Sequence, residues 1–174
     1  MIYIITGGQG EGKTSFLREL TSKLKQYAMP LKGFLAAGVF KDNKRTKFVL
    51  ENVNANEKEL LCDTTYNSGD MQFGRFVFKR KGREFGAKCL NVNKTQNKSI
   101  CVIDETGKLK TSRKGWYHVF KTLLKRNNTC IISVGNLYLN EVISFFEMEN
   151  LRLFDIAGIT PTQTAQEIFE VSGT

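Results

Sequence analysis

Residues 7–14 read Gly-Gly-Gln-Gly-Glu-Gly-Lys-Thr, an instance of Gly-x-x-x-x-Gly-Lys-Thr, directly after the apolar run Ile2-Tyr3-Ile4-Ile5 and Thr6. Nothing else in the chain restricts its fold so tightly. β-branched residues before the loop predict a strand, and apolar residues at helical spacing after it predict a helix. Small residues let such a loop curl and aim successive N–H groups inward at phosphate oxygens. The helix that follows presents its unpaired N-terminal N–H groups and positive dipole end to the same anion. Lys13 brings a point charge for the β- and γ-phosphates, and the Thr14 hydroxyl suits Mg²⁺. The candidate nucleotide-binding residues are therefore Gly7, Gly8, Gln9, Gly10, Glu11, Gly12, Lys13, Thr14 and Ser15.

A second motif completes the chemistry. Residues 99–104, Ser-Ile-Cys-Val-Ile-Asp, form an apolar run that ends in two carboxylates, Asp104 and Glu105. Such runs belong to central strands of parallel sheets, buried on both faces. Ligands bind at the carboxyl ends of those strands. Asp104 is thus the candidate metal ligand opposite Thr14, and Glu105 the candidate for polarising an attacking water. Catalytic roles are expected of Glu105 and Lys13, and metal ligation of Thr14 and Asp104, with Mg²⁺ as cofactor and a nucleoside triphosphate as partner.

Taken in order, the chain alternates strands and helices. Phe16, Leu17, Leu20, Leu24 and Tyr27 mark an amphipathic helix of about fourteen residues, stopping near Met29-Pro30. Residues 33–40 and 47–53 predict two strands joined by the polar residues 41–46 as a hairpin. A short strand is expected at 59–62, polar turn-like chain from 64 to 72, one strand at 73–79, a turn at Arg80-Lys81-Gly82, and a helix from Arg83 carrying Phe85, Cys89 and Val92. After the second motif come a helix over 112–126, a buried strand at 129–134, a helix over 141–148 and a strand at 151–156. Thr160-Pro161-Thr162-Gln163 then starts the last helix with a capping box. This order implies an α/β three-layer sandwich with a mixed sheet: one domain over 1–174, with a β-rich insertion at 33–98.

Bulk properties exclude more than they select. No apolar run approaches the roughly 18–20 residues of a membrane helix, and the amino terminus has no basic region of a signal peptide. A cytoplasmic protein is expected. Cys62, Cys89, Cys101 and Cys130 lack metal-ligand spacing and are expected as buried thiols. His118, the only histidine, sits in a helical pattern and suits a surface or boundary position. Fifteen of the 26 Lys and Arg lie in residues 75–126 against Glu84, Asp104 and Glu105, so this segment carries +12 of a net +9 and the remainder carries −3. A basic middle can face nucleic acid. A solvated basic face is favoured, because exposed-looking aromatics do not interleave the charges.

The loop, Gly33-Phe34 soon after the first helix, and Val102-Ile103-Asp104-Glu105-Thr106-Gly107-Lys108-Leu109 together resemble the nucleoside-triphosphatases first described from thermophiles, a family related to nucleotide kinases. The chain departs from that family's pattern at Thr106, at Lys110, and at Leu35-Ala36-Ala37-Gly38. The resemblance implies a P-loop NTPase fold of the RecA-like, additional-strand, catalytic-glutamate kind. It implies Mg²⁺-dependent hydrolysis, with Gly12, Lys13 and Thr14 on phosphate and metal, Asp104 on the metal and Glu105 on the water. Transfer of the phosphoryl group to a small acceptor, as in nucleotide kinases, and a nucleotide-dependent nucleic-acid-binding module are the alternatives. Any of Arg45, Arg83, Arg113 and Arg126 could reach the γ-phosphate.

Overall fold

The computed structural model describes residues 1–66, 71–90, 99–104, 117–126 and 128–172. Its strands are β1 (Ile2–Gly7), β2 (Leu31–Lys41), β3 (Lys44–Asn52), β4 (Lys58–Asp63), β5 (Met71–Phe73), β6 (Phe76–Phe78), β7 (Ile100–Ile103), β8 (Cys130–Gly135) and β9 (Leu151–Asp155). Its helices are α1 (Lys13–Gln26), α2 (Arg80–Leu90), α3 (Tyr117–Lys125), α4 (Leu139–Phe145) and α5 (Pro161–Ser172). None of the described helices is long and apolar enough to cross a membrane.

The described strands make one sheet in the order β5-β6-β4-β3-β2-β7-β8-β1-β9. From β2 to β9 neighbours run parallel, and from β2 outward through β3, β4, β6 and β5 they run antiparallel. The sheet is mixed, as expected. β8 stands between the loop strand β1 and the carboxylate strand β7. That is the additional strand which the resemblance implied.

Burial explains why these runs are strands. Every residue of β1 and β7 is buried, because helices cover both faces. Ile2, Ile4, Cys101, Ile103, Cys130 and Ile132 face a core packed with residues of α2, α3 and α4. Tyr3, Ile5, Ile100, Val102 and Ile131 face the opposite core, with Leu17, Leu20 and Leu24 of α1 and Ala165 and Ile168 of α5. A fully buried leucine contributes about 2 kcal/mol, so the α1 stripe alone holds the loop's helix firmly on the sheet. The α5 capping box forms: Thr160 N donates to Gln163 Oε1 at 3.0 Å, and Gln163 N donates to Thr160 Oγ1 at 3.3 Å.

β2 starts with a backbone requirement. Gly33 has φ near +120°, and a Cβ there would stand 1.9 Å from the carbonyl oxygen of Val102. Only glycine permits β2 to close on β7 at this point, which gives the Gly33-Phe34 signature its physical cause.

The hairpin of β2 and β3 is longer than the sequence suggested. Its loop is only Asp42-Asn43, both with positive φ as a type I′ turn requires. Two expectations fail nearby. Residues 73–79 are not one strand: Gly74 takes φ near +55° and splits them into the β5–β6 hairpin. Arg80-Lys81-Gly82 is not a turn but the start of α2. Gly82 is there for space, since a Cβ would meet the carbonyl oxygen of Leu60 at 2.2 Å where the helix crosses β4. Val92 and residues 112–116 lie outside the described residues. All four cysteines are buried thiols outside any disulfide. Burial, reinforced by Glu57, pushes the Cys89 thiol up to about 11.

Candidate active site

The loop forms where the chain leaves β1. Gly10 and Gly12 take φ near +86° and +95°, and Gly12 caps α1, accepting from Phe16 N at 2.9 Å. The first turn of α1 has no side-chain cap and no acidic residue. Its leading N–H groups therefore suit an anion supplied from outside the chain.

A cavity of about 490 Å³ opens over this helix end. Gln9, Gly10, Gly12, Lys13, Thr14 and Ser15 line it. Gly7, Gly8 and Glu11 form the back of the loop. Lys13 Nζ donates to the carbonyl oxygens of Gly7 at 3.1 Å and Gly8 at 2.6 Å, and Gly8 N donates to Glu11 Oε2 at 2.5 Å. Lys13 is thus folded across its own loop, with an ammonium that carbonyl dipoles hold at the cavity.

The opposite jaw is Asp104, which follows β7 and is 3% exposed. Thr14 Oγ1 donates to its Oδ2 at 2.8 Å, and Ala36 N donates to the same oxygen at 3.0 Å. The Ser133 hydroxyl of β8 donates to Oδ1. A buried carboxylate is costly without such donors, and three elements converge to supply them. The predicted pair, Thr14 and Asp104, therefore meets across 90 residues of chain. Ser133 was not anticipated. Its signal was one hydroxyl in an otherwise apolar run, on the strand next to that of Asp104.

Glu105 and Arg113 lie outside the described residues. The outer cavity wall comes from the antiparallel part of the sheet, through Ala37, Gly38, Phe40, Arg45 and Phe73, and from Asn136, Leu137 and Tyr138 after β8. Arg18 also lines the cavity, and its guanidinium bonds Glu51 Oε2 at 2.7 Å. His118 is exposed on α3. In the basic segment, Lys79 pairs with Asp63 at 3.2 Å and Arg80 with Glu84 at 2.7 Å.

Comparison with known proteins identifies the family of this chain. The model of the NTPase family matches residues 2–168. The chain belongs to this NTPase family. Among curated relatives, the nucleoside-triphosphatase THEP1 of Thermoplasma volcanium is 26% identical over 156 residues, covering 89% of this chain and 87% of the relative. THEP1 of Thermoplasma acidophilum is 24% identical over 165 residues, at 89% and 86% coverage. The fold is shared with the solution structure of a human cancer-related nucleoside triphosphatase, at a TM-score of 0.70 and 20% identity over 97% of this chain and 95% of that one.

Proposed function

We propose that this NTPase family member hydrolyses nucleoside triphosphates, ATP and GTP among them, to the diphosphate and phosphate with Mg²⁺. The observation that carries the reading is the meeting of Lys13, Thr14 and Asp104 at one cavity over the start of α1. The donor set suits the metal: a hydroxyl and a carboxylate are hard oxygen ligands, and Mg²⁺ combines one or two such groups with substrate phosphates. Among the described residues no cluster of three or more His, Cys, Asp or Glu could enclose a metal, so phosphate oxygens would complete the shell. Thr14 and Asp104 would hold the ion, which when bound neutralises charge on the β- and γ-phosphates.

The chain's own residues do the rest. The glycine loop and the α1 N-terminus cradle the phosphates, and Lys13 moves from the Gly7 and Gly8 carbonyls onto them. Ser133 and Ala36 keep the Asp104 carboxylate fixed. Glu105 is assigned the attacking water from its place beside Asp104 in the sequence. The water oxygen bonds to the γ-phosphorus and gives a proton to Glu105, the bond to the bridging oxygen breaks with its electron pair left on that oxygen, and the nucleoside diphosphate leaves. Four buried thiols outside any disulfide fit a reducing compartment, so we assign the protein to the cytoplasm.

Phosphate release from Mg-ATP and Mg-GTP by the wild type and by Glu105→Gln tests this. A rate unchanged by the substitution removes Glu105 from the water. The apolar rim of Phe40, Phe73, Leu137 and Tyr138 also favours an organic acceptor as a second reading. Acceptor-stimulated ADP production without extra free phosphate would select it.

A further inference from the structure

The antiparallel strands lay one arginine along the cavity. Arg45 on β3 has its guanidinium carbon 5.1 Å from the centre of the Phe40 ring and 4.9 Å from that of Phe48. Beneath it, a Cβ on Gly38 would stand 2.6 Å from Arg45 Nε, so glycine is what admits the side chain against β2. From the far side Arg75 donates to the Arg45 carbonyl oxygen at 2.8 Å, with its own guanidinium 5.0 Å from the Phe76 ring. The β5–β6 hairpin is thereby tied to β3 at this residue. A guanidinium held on ring faces has little rotamer freedom left to lose when it binds an anion.

Its position matters as much as its rigidity. Ala36 of β2 binds Asp104, and the next residues of that strand, Ala37 and Gly38, lead along the cavity wall to Arg45. Arg45 therefore lines the same cavity as Lys13 and Asp104, on the wall that continues from Ala36. Arg18 enters the same cavity from α1, where it bonds Glu51 at 2.7 Å. Arg83 and Arg126 do not line it.

We propose that Arg45 is a catalytic residue, an arginine supplied within the chain that binds the γ-phosphoryl oxygens and neutralises the charge that builds as the phosphoryl group transfers. The assignment rests on the hydrolytic reading above. In the step the water oxygen bonds to the γ-phosphorus while its proton passes to the Glu105 carboxylate assigned above, the bond from the γ-phosphorus to the β,γ-bridging oxygen breaks, and its electron pair stays on that oxygen as the diphosphate leaves. The guanidinium keeps its proton throughout and acts by charge and hydrogen bonds alone.

The test compares the wild type with Arg45→Ala, Arg45→Lys and Gly38→Ala. It reads kcat and KM for Mg-ATP, affinity for Mg-ADP with and without aluminium fluoride, and thermal midpoints. Arg45→Ala is expected to lower kcat about 100-fold with KM within about threefold, because the interaction is made mainly in the transition state. Mg-ADP affinity should hold while the gain from aluminium fluoride is lost. Added guanidinium should restore part of the rate. Arg45→Lys keeps the positive charge and an aliphatic stem beside the two rings but lacks the planar fork, and should recover only part of kcat. It reads the proposal even where the alanine variant folds poorly. Gly38→Ala displaces the arginine without removing it and should fall between. A kcat within about threefold of wild type in both Arg45 variants overturns the assignment. So does an equal loss of Mg-ADP and aluminium-fluoride binding with a lowered midpoint, the pattern of a merely structural residue. Absence of phosphate release by the wild type would instead overturn the hydrolytic reading on which the proposal stands.

Discussion

The two halves of the sheet meet at β2 and handle the same cavity in opposite ways. On the parallel side β1, β7 and β8 are buried almost end to end, and the cavity opens at their carboxyl ends. There the backbone turns outward as the glycine loop, Asp104 and Asn136. On the antiparallel side β3 is half exposed along its length, and β2 loses burial towards its tip, where Phe40 is 58% exposed. That side contributes long side chains rather than strand ends. Burial on both faces fixes the position of a strand end and so suits groups that must hold phosphate and metal. A strand with one solvated face can carry varied side chains at low cost, and so suits the wall that decides what enters.

The seam between the halves offers the strongest way to break this picture. Gly33→Ala places a Cβ against the Val102 carbonyl at a backbone angle closed to alanine, and is expected to cost about 4 kcal/mol or more. Urea unfolding would check it. A midpoint near that of the wild type would show that β2 does not need this close approach to β7. Next, Lys13→Ala should lower phosphate release about 1,000-fold while shifting the melting temperature by only a few degrees, because it removes charge from the phosphates and little packing. A comparable loss of rate and stability would mean that the lysine's bonds to Gly7 and Gly8 hold the loop together. Ser133→Ala removes one donor from a buried carboxylate, at about 1–2 kcal/mol. A rise of roughly tenfold in the Mg²⁺ midpoint of activity is expected with it, read by titrating the metal.

The smallest effect tests the brace between the halves. Glu51 on β3 bonds Arg18 of α1 at 2.7 Å and Lys58 of β4 at 2.8 Å. Partial burial acts to raise its carboxyl, but its bonds to Lys58 and Arg18 prevail and leave it below the ordinary value of 4.5. A lowered folded value means that the contribution is complete above that ordinary value and is lost as pH falls through the lower one. Glu51→Gln should therefore cost about 0.5–1 kcal/mol at pH 7, since both cations are half in solvent. The gap between variant and wild type should close in acid, as thermal melts from pH 7 to pH 3 would show. A gap that persists at pH 3 would exclude the ion pairs as its source.

The same contrast decides how much the sequence revealed. β1, β7, β8 and α1 were legible because burial on both faces forces unbroken apolar runs, and an amphipathic stripe has a fixed period. The glycine loop and the contact of Thr14 with Asp104 could be expected too, since the two motifs put particular residue types at particular places. The antiparallel side was read less well. Phe73-Gly74-Arg75-Phe76 conceals a two-residue turn inside a pattern that alternates acceptably as one strand. Gly82 resembled a turn residue although it serves the close packing of α2 on β4. Ser133 passed for an ordinary core position, because a hydroxyl in a central strand gains its meaning only from the neighbouring strand. Among the three candidate arginines that the structure describes, Arg45 could be chosen only once Gly38 and two phenylalanine rings were seen around it.

One strand keeps both accounts at once. β2 is hydrogen-bonded to β7 on one edge and β3 on the other, and the N–H of Ala36 ends on the Asp104 carboxylate. Beyond that point the strand runs out to Phe40. It is therefore a lever whose short arm touches the floor of the cavity and whose long arm forms part of its wall. Linkage would make such a connection reciprocal: a ligand that displaced the tip would alter affinity for the cation proposed at Asp104 by the same factor as that cation would alter affinity for the ligand. Amide exchange at Ala36, followed with each ligand alone and with both, would register that shared free energy at a single proton.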